Sequence, residues 1–260
     1  MGNLDHATPD QSPRMTAETG SLHIGTSGWH YESWLGPFYP ERLAKPKMLS
    51  VYTDSFDTAE INVSFYRLPS ENALATWRDT TPEGFLFAWK AHRVVTHYRR
   101  LRNVEADIPN ICGRMALLGA KEGPVLFQLH PRMTMDRERL ASFLAMLPVG
   151  RRYTVEFRHP SWYEPAIFAL LAEFNASLCL SDHAAAPAPW EVTADWVYVR
   201  GHGPSGRYHG SYTDETLADW ARHVRTWRDQ GRSVFCYFDN DIKAAAPADA
   251  MRLKQMLATS

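Results

Sequence analysis

The sequence of 260 residues is short of cysteine, of long apolar runs and of net charge. Cys112, Cys179 and Cys236 are odd in number and show no C-x-x-C spacing, which argues against a disulfide framework and against a structural zinc site. Cytoplasmic residence is the simplest prediction from this usage. Cys179 and Cys236 lie in apolar runs, and Cys112, before Gly113, is the one that we expect to be accessible. No run of about 18 apolar residues is present, so the sequence predicts no membrane partner. Lys and Arg number 28 against 29 Asp and Glu, which excludes the basic excess of a general nucleic-acid coat.

A glycine-rich phosphate loop is also missing. Residues 25–28 read Gly-Thr-Ser-Gly, which does not match G-x-G-x-x-G, and no helical pattern begins directly after them. An open, doubly wound dinucleotide-binding sheet is therefore disfavoured, and the sequence indicates no particular cofactor.

The first 20 residues differ in composition from the rest of the chain. They are rich in Pro, Thr, Asp and Gly and lack the apolar middle of a signal peptide. We predict a disordered N-terminal tail over residues 1–20 and a single domain over residues 21–260, a length that α/β barrels commonly reach as one domain.

Eight apolar segments with strand character recur along the chain. The predicted strands cover residues 22–28, 58–65, 85–91, 125–130, 153–158, 177–182, 196–200 and 233–239. Helical patterns lie between most of them; Leu140, Phe143 and Leu144 follow helical spacing, and Gly231 stands where a helix C-cap is expected. Residues 184–194 contain two prolines, Pro187 and Pro189, and predict a loop or a short turn after the sixth strand.

Repeated alternation of strand and helix predicts an α/β fold with a parallel sheet, because each crossover packs its helix on a face of the sheet. Eight such units can close into a (β/α)₈ TIM barrel, here a single domain with an irregular or short connection after the sixth strand. In TIM barrels the active site lies at the carboxyl ends of the strands.

Several predicted strands turn polar at these ends. Glu60, Asn62, Glu156, Arg158 and Asp239 lie in runs that should otherwise be apolar, and each carries a desolvation cost unless it is partnered. By strand alternation, the first two should share one face and the next two should point into the barrel. The pattern predicts one shared polar site at the mouth.

Separated words of the sequence follow one another in the order of a known family. They are GTSGWHYESWLGPFYP, EINVSFYRLP, THYRRL, EFRHPSW and YFDND, with R-x-H-G at 200–203 and Y-x-G-x-Y at 208–212. Over about residues 24 to 257, they resemble the DUF72 family of YecE-like proteins. The resemblance implies a TIM barrel in a family whose activity is not established. The chain departs from the family at Asp239, where Asn is usual, and at Gly201, where a bulkier apolar residue is usual.

Glu60 and Glu156 are candidate catalytic residues. Two carboxylates in one poorly solvated cavity acquire different pKa values, which suits an acid and base pair. The alternative is a structural role in which they neutralise basic groups at other strand ends, Lys90, Arg158 or Arg200. Those three cations could equally bind a carboxylate or phosphate, and an anionic substrate follows as a hypothesis.

Histidines that follow strands within the family words are further candidates: His159 as a catalytic group, His97 and His202 as substrate-binding groups. Asp182 ends the sixth strand and could orient a histidine or bind a sugar hydroxyl; the alternative is a turn cap. Glu156, Asp182 and a histidine are a conceivable metal site, yet no close metal-ligand spacing occurs, and we predict no metal.

Aromatic and amide side chains complete the predicted binding site. Rings in the loops after the strands suit stacking on a base or sugar, although local packing of the loop is the alternative role. The remaining predicted substrate-binding residues are Asn62, Tyr66, Tyr208, Asp239 and Asn240.

Three functions are compatible with these residues. The first is an enzyme that acts on a polar small molecule, anionic by hypothesis, at the barrel mouth. The second is a nucleic-acid or nucleotide-binding protein that uses the loop aromatics and a basic strip of Arg93, Arg99, Arg100, Arg102 and Lys90. The third is a glycoside-cleaving barrel that uses paired carboxylates.

Overall fold

The chain is described by a computed structural model over residues 18–259. The predicted N-terminal tail lies outside the described residues up to position 17. Gly20 already belongs to the folded body, because it is buried and its amide donates a 2.9 Å hydrogen bond to the Arg228 carbonyl. No helix within the described range combines the length and the apolar character that crossing a bilayer requires.

Eight parallel strands form one sheet that is nearly closed into a barrel. They are β1 (Leu22–Thr26), β2 (Thr58–Ile61), β3 (Leu86–Lys90), β4 (Glu122–Gln128), β5 (Tyr153–Glu156), β6 (Ser177–Ser181), β7 (Trp196–Gly201) and β8 (Ser233–Phe238). Their order is β1-β8-β7-β6-β5-β4-β3-β2. The two end strands meet at a bridge between Ser27 and Glu60, where the Gly28 amide donates a 2.8 Å hydrogen bond to the Glu60 carbonyl. The predicted TIM barrel and its eight strands are confirmed.

Helices follow most of the strands. They are α1 (Met48–Tyr52), α2 (Val63–Tyr66), α3 (Glu71–Thr80), α4 (Asp107–Met115), α5 (Arg137–Ala145), α6 (Pro165–Glu173), α7 (Asp214–Asp229) and α8 (Ala245–Ala258), with a π-helical turn at Val94–Tyr98. Side-chain oxygens of Ser70, Asp136 and Thr213 cap α3, α5 and α7. Gly231 adopts the left-handed conformation just beyond α7, as predicted. Residues 182–195 connect β6 to β7 without a helix, also as predicted.

The core has an outer and an inner part. The outer part lies between the sheet and the helices and contains the apolar faces of α5 and α7. The inner cluster fills the barrel with Ala88, Leu126, Cys179, Trp196, Tyr198, Phe235 and Tyr237. Because these side chains fill the lower and middle parts of the barrel, a ligand can bind only at one of its two ends.

Two predictions are corrected. β2 ends at Ile61 rather than Phe65, and α2 begins directly after Asn62, so the predicted alternation fails from that residue onward. The turn is held by the Ser64 hydroxyl, which donates to the carbonyls of Ile61 and Lys90. A local hydroxyl interaction thus overrides the strand propensity of the segment. Cys112, which the sequence predicts to be accessible beside Gly113, is buried at 8% exposure on the apolar face of α4.

Barrel closure depends on a glycine in β1. A Cβ atom at Gly25 would lie 2.2 Å from the Thr58 carbonyl oxygen and 2.9 Å from the Tyr52 hydroxyl. Backbone cannot yield as a flexible side chain does, so Gly25→Ala should destabilise the fold by about 1–3 kcal/mol through overpacking. Gly113→Ala is the control, because that Cβ meets nothing within 4 Å on α4; it should be neutral or gain up to about 1 kcal/mol. Urea midpoints compare the two, and equal midpoints would contradict this account of closure.

Candidate functional site at the carboxyl end of the barrel

The carboxyl end of the barrel carries a layer of polar side chains, one from each strand or from the residue directly after it. We call this layer the polar ring: Ser27, Glu60, Lys90, Gln128, Glu156, Ser181, Arg200 and Asp239. Five of its members lie two positions beyond residues of the inner cluster, so strand alternation points them inward.

Arg200 stands at the centre of the ring and is fully buried. Its Nη2 donates to the carboxylates of Glu60 and Asp239, each at 2.7 Å, and its Nη1 donates to Glu156 at 3.0 Å. Nε donates to the second oxygen of Glu60 at 3.1 Å. A single guanidinium therefore joins carboxylates from three separate parts of the barrel.

Arg158 forms a second guanidinium layer beside the first. Its Nε donates to Glu156 at 2.5 Å, Nη1 donates to the Tyr208 hydroxyl at 2.9 Å, and Nη2 donates to the Gln128 side-chain oxygen at 3.0 Å. Only 5% of Arg158 is exposed. The charges of Arg158 and Arg200 are therefore both compensated by carboxylates of the protein.

His202 lies between the two guanidinium groups. Its Nε2 is 3.1 Å from Arg158 Nη2 and 3.0 Å from Arg200 Nη1. Both partners can only donate, so Nε2 must accept and the proton belongs on Nδ1, which faces Asp182 at 3.2 Å. Asp182 also accepts from the His202 amide at 2.7 Å and from the Tyr212 hydroxyl. This arrangement orients the His202 ring with Nε2 as acceptor and Nδ1 as donor.

The two glutamates of the ring are ionised. Burial alone would raise the pKa of Glu60, but the Arg200 guanidinium and hydrogen bonds from Ser27 and Tyr198 hold it below its usual value. Burial opposes ionisation of Glu156 in the same way, and its two arginine partners keep that pKa well below the usual range. Carboxylates in this state accept hydrogen bonds but carry no proton to donate near neutral pH.

Lys90 is the exception in the ring. No carboxylate among residues 18–259 lies within 4.0 Å of its Nζ, which is 4.8 Å from the centre of the Phe65 ring. The residue is partly exposed at the mouth. Burial, followed by repulsion from Arg200, lowers the pKa of Lys90 to about 8. The carboxylates of Asp239, Glu60 and Glu156 act against this shift. The charge of Lys90 in turn helps to lower the pKa of His97 on the π-helical turn.

A pocket of about 570 Å³ opens near Lys90. Its lining residues are Phe65, Arg93, His97, Tyr98, Arg100 and His130. Burial and then the neighbouring His130 lower the pKa of His97 to about 4, so His97 is neutral at physiological pH. The lining contains two arginines and no acid, so the pocket favours a negatively charged group. We call it the arginine pocket.

The predicted site residues fall into three groups. Glu60, Glu156, Arg158, Arg200, His202, Asp182, Tyr208 and Asp239 are joined in one hydrogen-bonded network. Lys90 lies in the ring against Phe65, with no carboxylate of the described residues beside it. His97 lines the arginine pocket, and Tyr66 is 61% exposed, with Arg93 over its ring.

The remaining three predicted residues lie outside this network. Asn62 precedes α2 and lines a separate small cavity. His159 accepts at Nδ1 from the Ser161 amide, at the start of a short 3₁₀ turn. Asn240 is fully buried and donates to the Gly210 carbonyl and to Asp249.

Sequence reasoning missed four residues of the site. Ser27, Gln128 and Ser181 follow the same inward alternation as the predicted members, so the strand-end pattern could have found them. Asp241 had no such signal; burial, followed by the charge of Asp239, raises its pKa to about 7. That value belongs to a side chain able to exchange a proton near neutral pH.

Two other kinds of site were possible in this fold: a metal centre, and a cavity at the amino ends of the strands. Within residues 18–259 no group of three or more His, Cys, Asp or Glu side chains is placed to hold a metal ion. A cavity of about 810 Å³ lies at the amino ends of β4 to β7, where Arg151 is paired with Glu122. Active sites of TIM barrels lie at the carboxyl ends, so the polar ring is the candidate site.

Comparisons with known proteins agree with this fold. Residues 23–260 match the family described as "Protein of unknown function DUF72". The UPF0759 protein YunF of Bacillus subtilis is 24% identical over 91% of this chain and 94% of its own length, and YecE of Escherichia coli is 30% identical over 55% and 50%. A crystal structure of a DUF72 family protein from Thermotoga maritima is 25% identical, with a TM-score of 0.84 over 92% of this chain and 99% of that one. The structure titled SacUVDE is 9% identical, with a TM-score of 0.56, and shows the fold alone.

The ring geometry predicts that Glu156 is essential for stability. Glu156→Gln removes the charge that compensates two buried guanidinium groups, and breaking such a buried pair costs about 3–5 kcal/mol. The exposed Glu191→Gln is the matched control and should change the free energy of unfolding by less than about 0.5 kcal/mol. Urea unfolding measures both. A Glu156 variant as stable as the control would contradict the structural role.

Replacing Lys90 should raise the stability of the fold, in contrast to replacing Glu156. An ammonium that is desolvated without a partner opposes folding, so Lys90→Met should raise stability by about 1 kcal/mol or more at pH 7. The folded pKa is about 8 and the unfolded value is about 10.4. The gain is therefore full below pH 8 and should shrink as the pH rises towards about 10.4. Thermal unfolding across this range, with exposed Lys47→Met as control, measures the effect; a destabilised Lys90 variant would refute it.

Proposed function

Because the chain belongs to the DUF72 family, whose activity is not established, we propose its function from the site itself: it is an enzyme that binds a small anionic molecule at the polar ring. The observation that carries this proposal is the unpaired ammonium of Lys90. Every other charged ring member has a counter-charge within the protein. An anion at the mouth would supply the one that Lys90 lacks.

The proposal divides the cations between two roles. Arg158 and Arg200 hold the ring, since their donors are already directed at protein acceptors. Lys90 contacts the anion, and the arginine pocket beside it accommodates a second negatively charged or polar part of the same molecule. The ligand is thus polar and carries at least one carboxylate, phosphate or sulfate.

Because Glu60 and Glu156 are ionised, another group must donate or accept the proton in the reaction. Asp241 has a pKa of about 7 and is partly exposed, so it is our candidate acid or base. Glu60 and Glu156 are held ionised by Arg200 and act as positioning residues for it. Asp182 acts through His202, whose tautomer it fixes.

Two other functions would use the same mouth. A glycosidase needs a carboxylic acid that is protonated near neutral pH, and the ring glutamates have lowered pKa values, which ranks this function lower. A nucleic-acid partner is favoured by the exposed rings of Tyr66 and Tyr98 and by a run of arginines on the loop after β3. Arg99, however, is already paired with Asp107 at 3.0 Å. Cytoplasmic residence remains our proposal from the unpaired cysteines.

Calorimetric titration tests the anion site. Sulfate and malonate are suitable probes because neither changes charge between pH 7 and 9.5. Loss of one charge-assisted hydrogen bond is worth about 1.5–3 kcal/mol, so Lys90→Met should weaken binding about ten-fold or more, while Lys47→Met should leave it unchanged. Since an anion prefers the protonated amine, affinity should be full below pH 8 and fall above it.

The same titration separates the candidate functions. Anion binding that is unaffected by Lys90→Met would refute the proposed site. Tight, strongly salt-dependent binding of a single-stranded oligonucleotide, without binding of either small anion, would favour the nucleic-acid function instead.

A further inference from the structure

We propose that the Lys90 amine is a nucleophile that forms an imine with the carbonyl carbon of its substrate, an inference that rests on the proposed anion site. The substrate class is then a small carbonyl compound that carries a carboxylate or phosphate group. Lys90 thus has two roles: its ammonium form binds the anionic group, and its neutral amine forms the covalent bond.

The first support is the freedom of the Lys90 ammonium. Of the six lysines in the sequence, Lys121 donates from Nζ to the Thr81 hydroxyl and Lys254 donates to the Ser55 carbonyl. Among residues 18–259, the Lys90 ammonium has an aromatic partner, the face of Phe65, and no hydrogen-bond acceptor. Its nitrogen is therefore positioned without being occupied by an acceptor, which is what attack on a carbonyl carbon requires.

The second support is the surroundings of that nitrogen. Phe65, whose ring centre lies 4.8 Å from Lys90 Nζ, also lines the arginine pocket, and the charge of Lys90 interacts with Arg200 and influences His97. Burial and like charge both disfavour its protonated form, and the pKa of about 8 leaves roughly a tenth of the amine neutral at pH 7. An exposed lysine, with a pKa of about 10.4, has less than about a thousandth in that form.

The third support is the placement of a second recognition element beside the nucleophile. Arg93 and Arg100 line the arginine pocket, and Arg93 is braced against the rings of Tyr66 and Tyr98. An acidic group of the substrate held there would keep the carbonyl near Lys90 and would confer selectivity for anionic carbonyl compounds over neutral ones.

The proposed step is balanced without a further reactant. The Nζ lone pair attacks the carbonyl carbon, a C–N bond forms, and the C=O π electrons pass to oxygen. A proton lost from nitrogen goes to that oxygen and gives a carbinolamine. Loss of one water molecule, formed from the hydroxyl group and the second nitrogen proton, then leaves the imine. No oxidant or reductant is consumed.

Reductive trapping on the full-length protein tests the proposal. Glyoxylate and pyruvate serve as anionic probes and acetone as the neutral one, each with cyanoborohydride at pH 7.5. We expect a single adduct whose added mass equals that of the probe less one oxygen atom. Peptide mapping should place it on Lys90, at a rate at least tenfold above that of any other lysine, and sulfate should suppress it. Acetone should react much more slowly.

Lys90→Arg keeps a positive charge but cannot form the imine, and Lys47→Arg is the matched surface control. The first should abolish the adduct while retaining sulfate binding, and the second should change neither. Adducts spread over surface lysines, or an unmodified Lys90 in the native protein, would overturn the proposal. If sulfate still binds in that case, only the covalent step fails; if sulfate also fails to bind, the proposed anion site fails with it.

Discussion

The contact on which the site depends is the buried Arg200 guanidinium with its three carboxylates. A guanidinium offers five N–H donors in a fixed plane, and Arg200 directs them to groups from β2, β5 and the end of β8. Burying any one of these charges alone would be very costly, and burying them together in this geometry is what makes each tolerable. The interaction also joins strands that are distant in the chain, including β2, one of the two strands at the closure of the barrel.

Because the other charged members of the polar ring are paired with one another, the unpaired Lys90 stands out as the residue able to bind a ligand. A network in which every donor has an acceptor has little capacity to bind a ligand, because a ligand would have to displace an internal partner. Lys90 lies in the same layer, is partly buried and yet has no acidic partner within 4.0 Å among the described residues. Residues that oppose stability in an otherwise satisfied structure are typical of functional sites. The ring thus acts as a rigid support, and the chemistry is assigned to its unpaired member.

The sequence predicted the fold well, because a barrel is specified by patterns that repeat. Apolar strands, helical spacing and the helix-terminating Gly231 each describe local structure, and eight repetitions leave little freedom of topology. Strand ends were harder to predict. The segment after Ile61 has strand-like composition, but a single hydroxyl contact from Ser64 turns it into a helix.

The sequence could predict which residues lie at the mouth, but it could not predict which of their side chains contact one another. Alternation identified Glu60, Glu156 and Arg158 as inward-facing, yet it carries no information on which side chains meet across the barrel. The same limit separates Lys90 from Arg158: both are basic residues at or next to a strand end, and only the three-dimensional arrangement shows that one is paired and the other is not. Asn240, predicted to bind substrate, directs its amide to the Gly210 carbonyl and to Asp249 on α8, which a sequence word cannot reveal.

The rim of the mouth shows where conformational strain is stored. Seven non-glycine residues have positive φ in the described structure, and six of them lie in loops that follow β3, β7 and β8: Arg100, Leu101, Asn103, Tyr208, Lys243 and Ala244. Such conformations cost of order 1 kcal/mol or more each and persist only where the surroundings enforce them. Two of these residues contribute directly to the site, since Tyr208 accepts from Arg158 and Arg100 lines the arginine pocket. Strain concentrated in this way indicates that the rim is held in one shape before a ligand arrives, which is the arrangement expected if the anion must be placed accurately against Lys90.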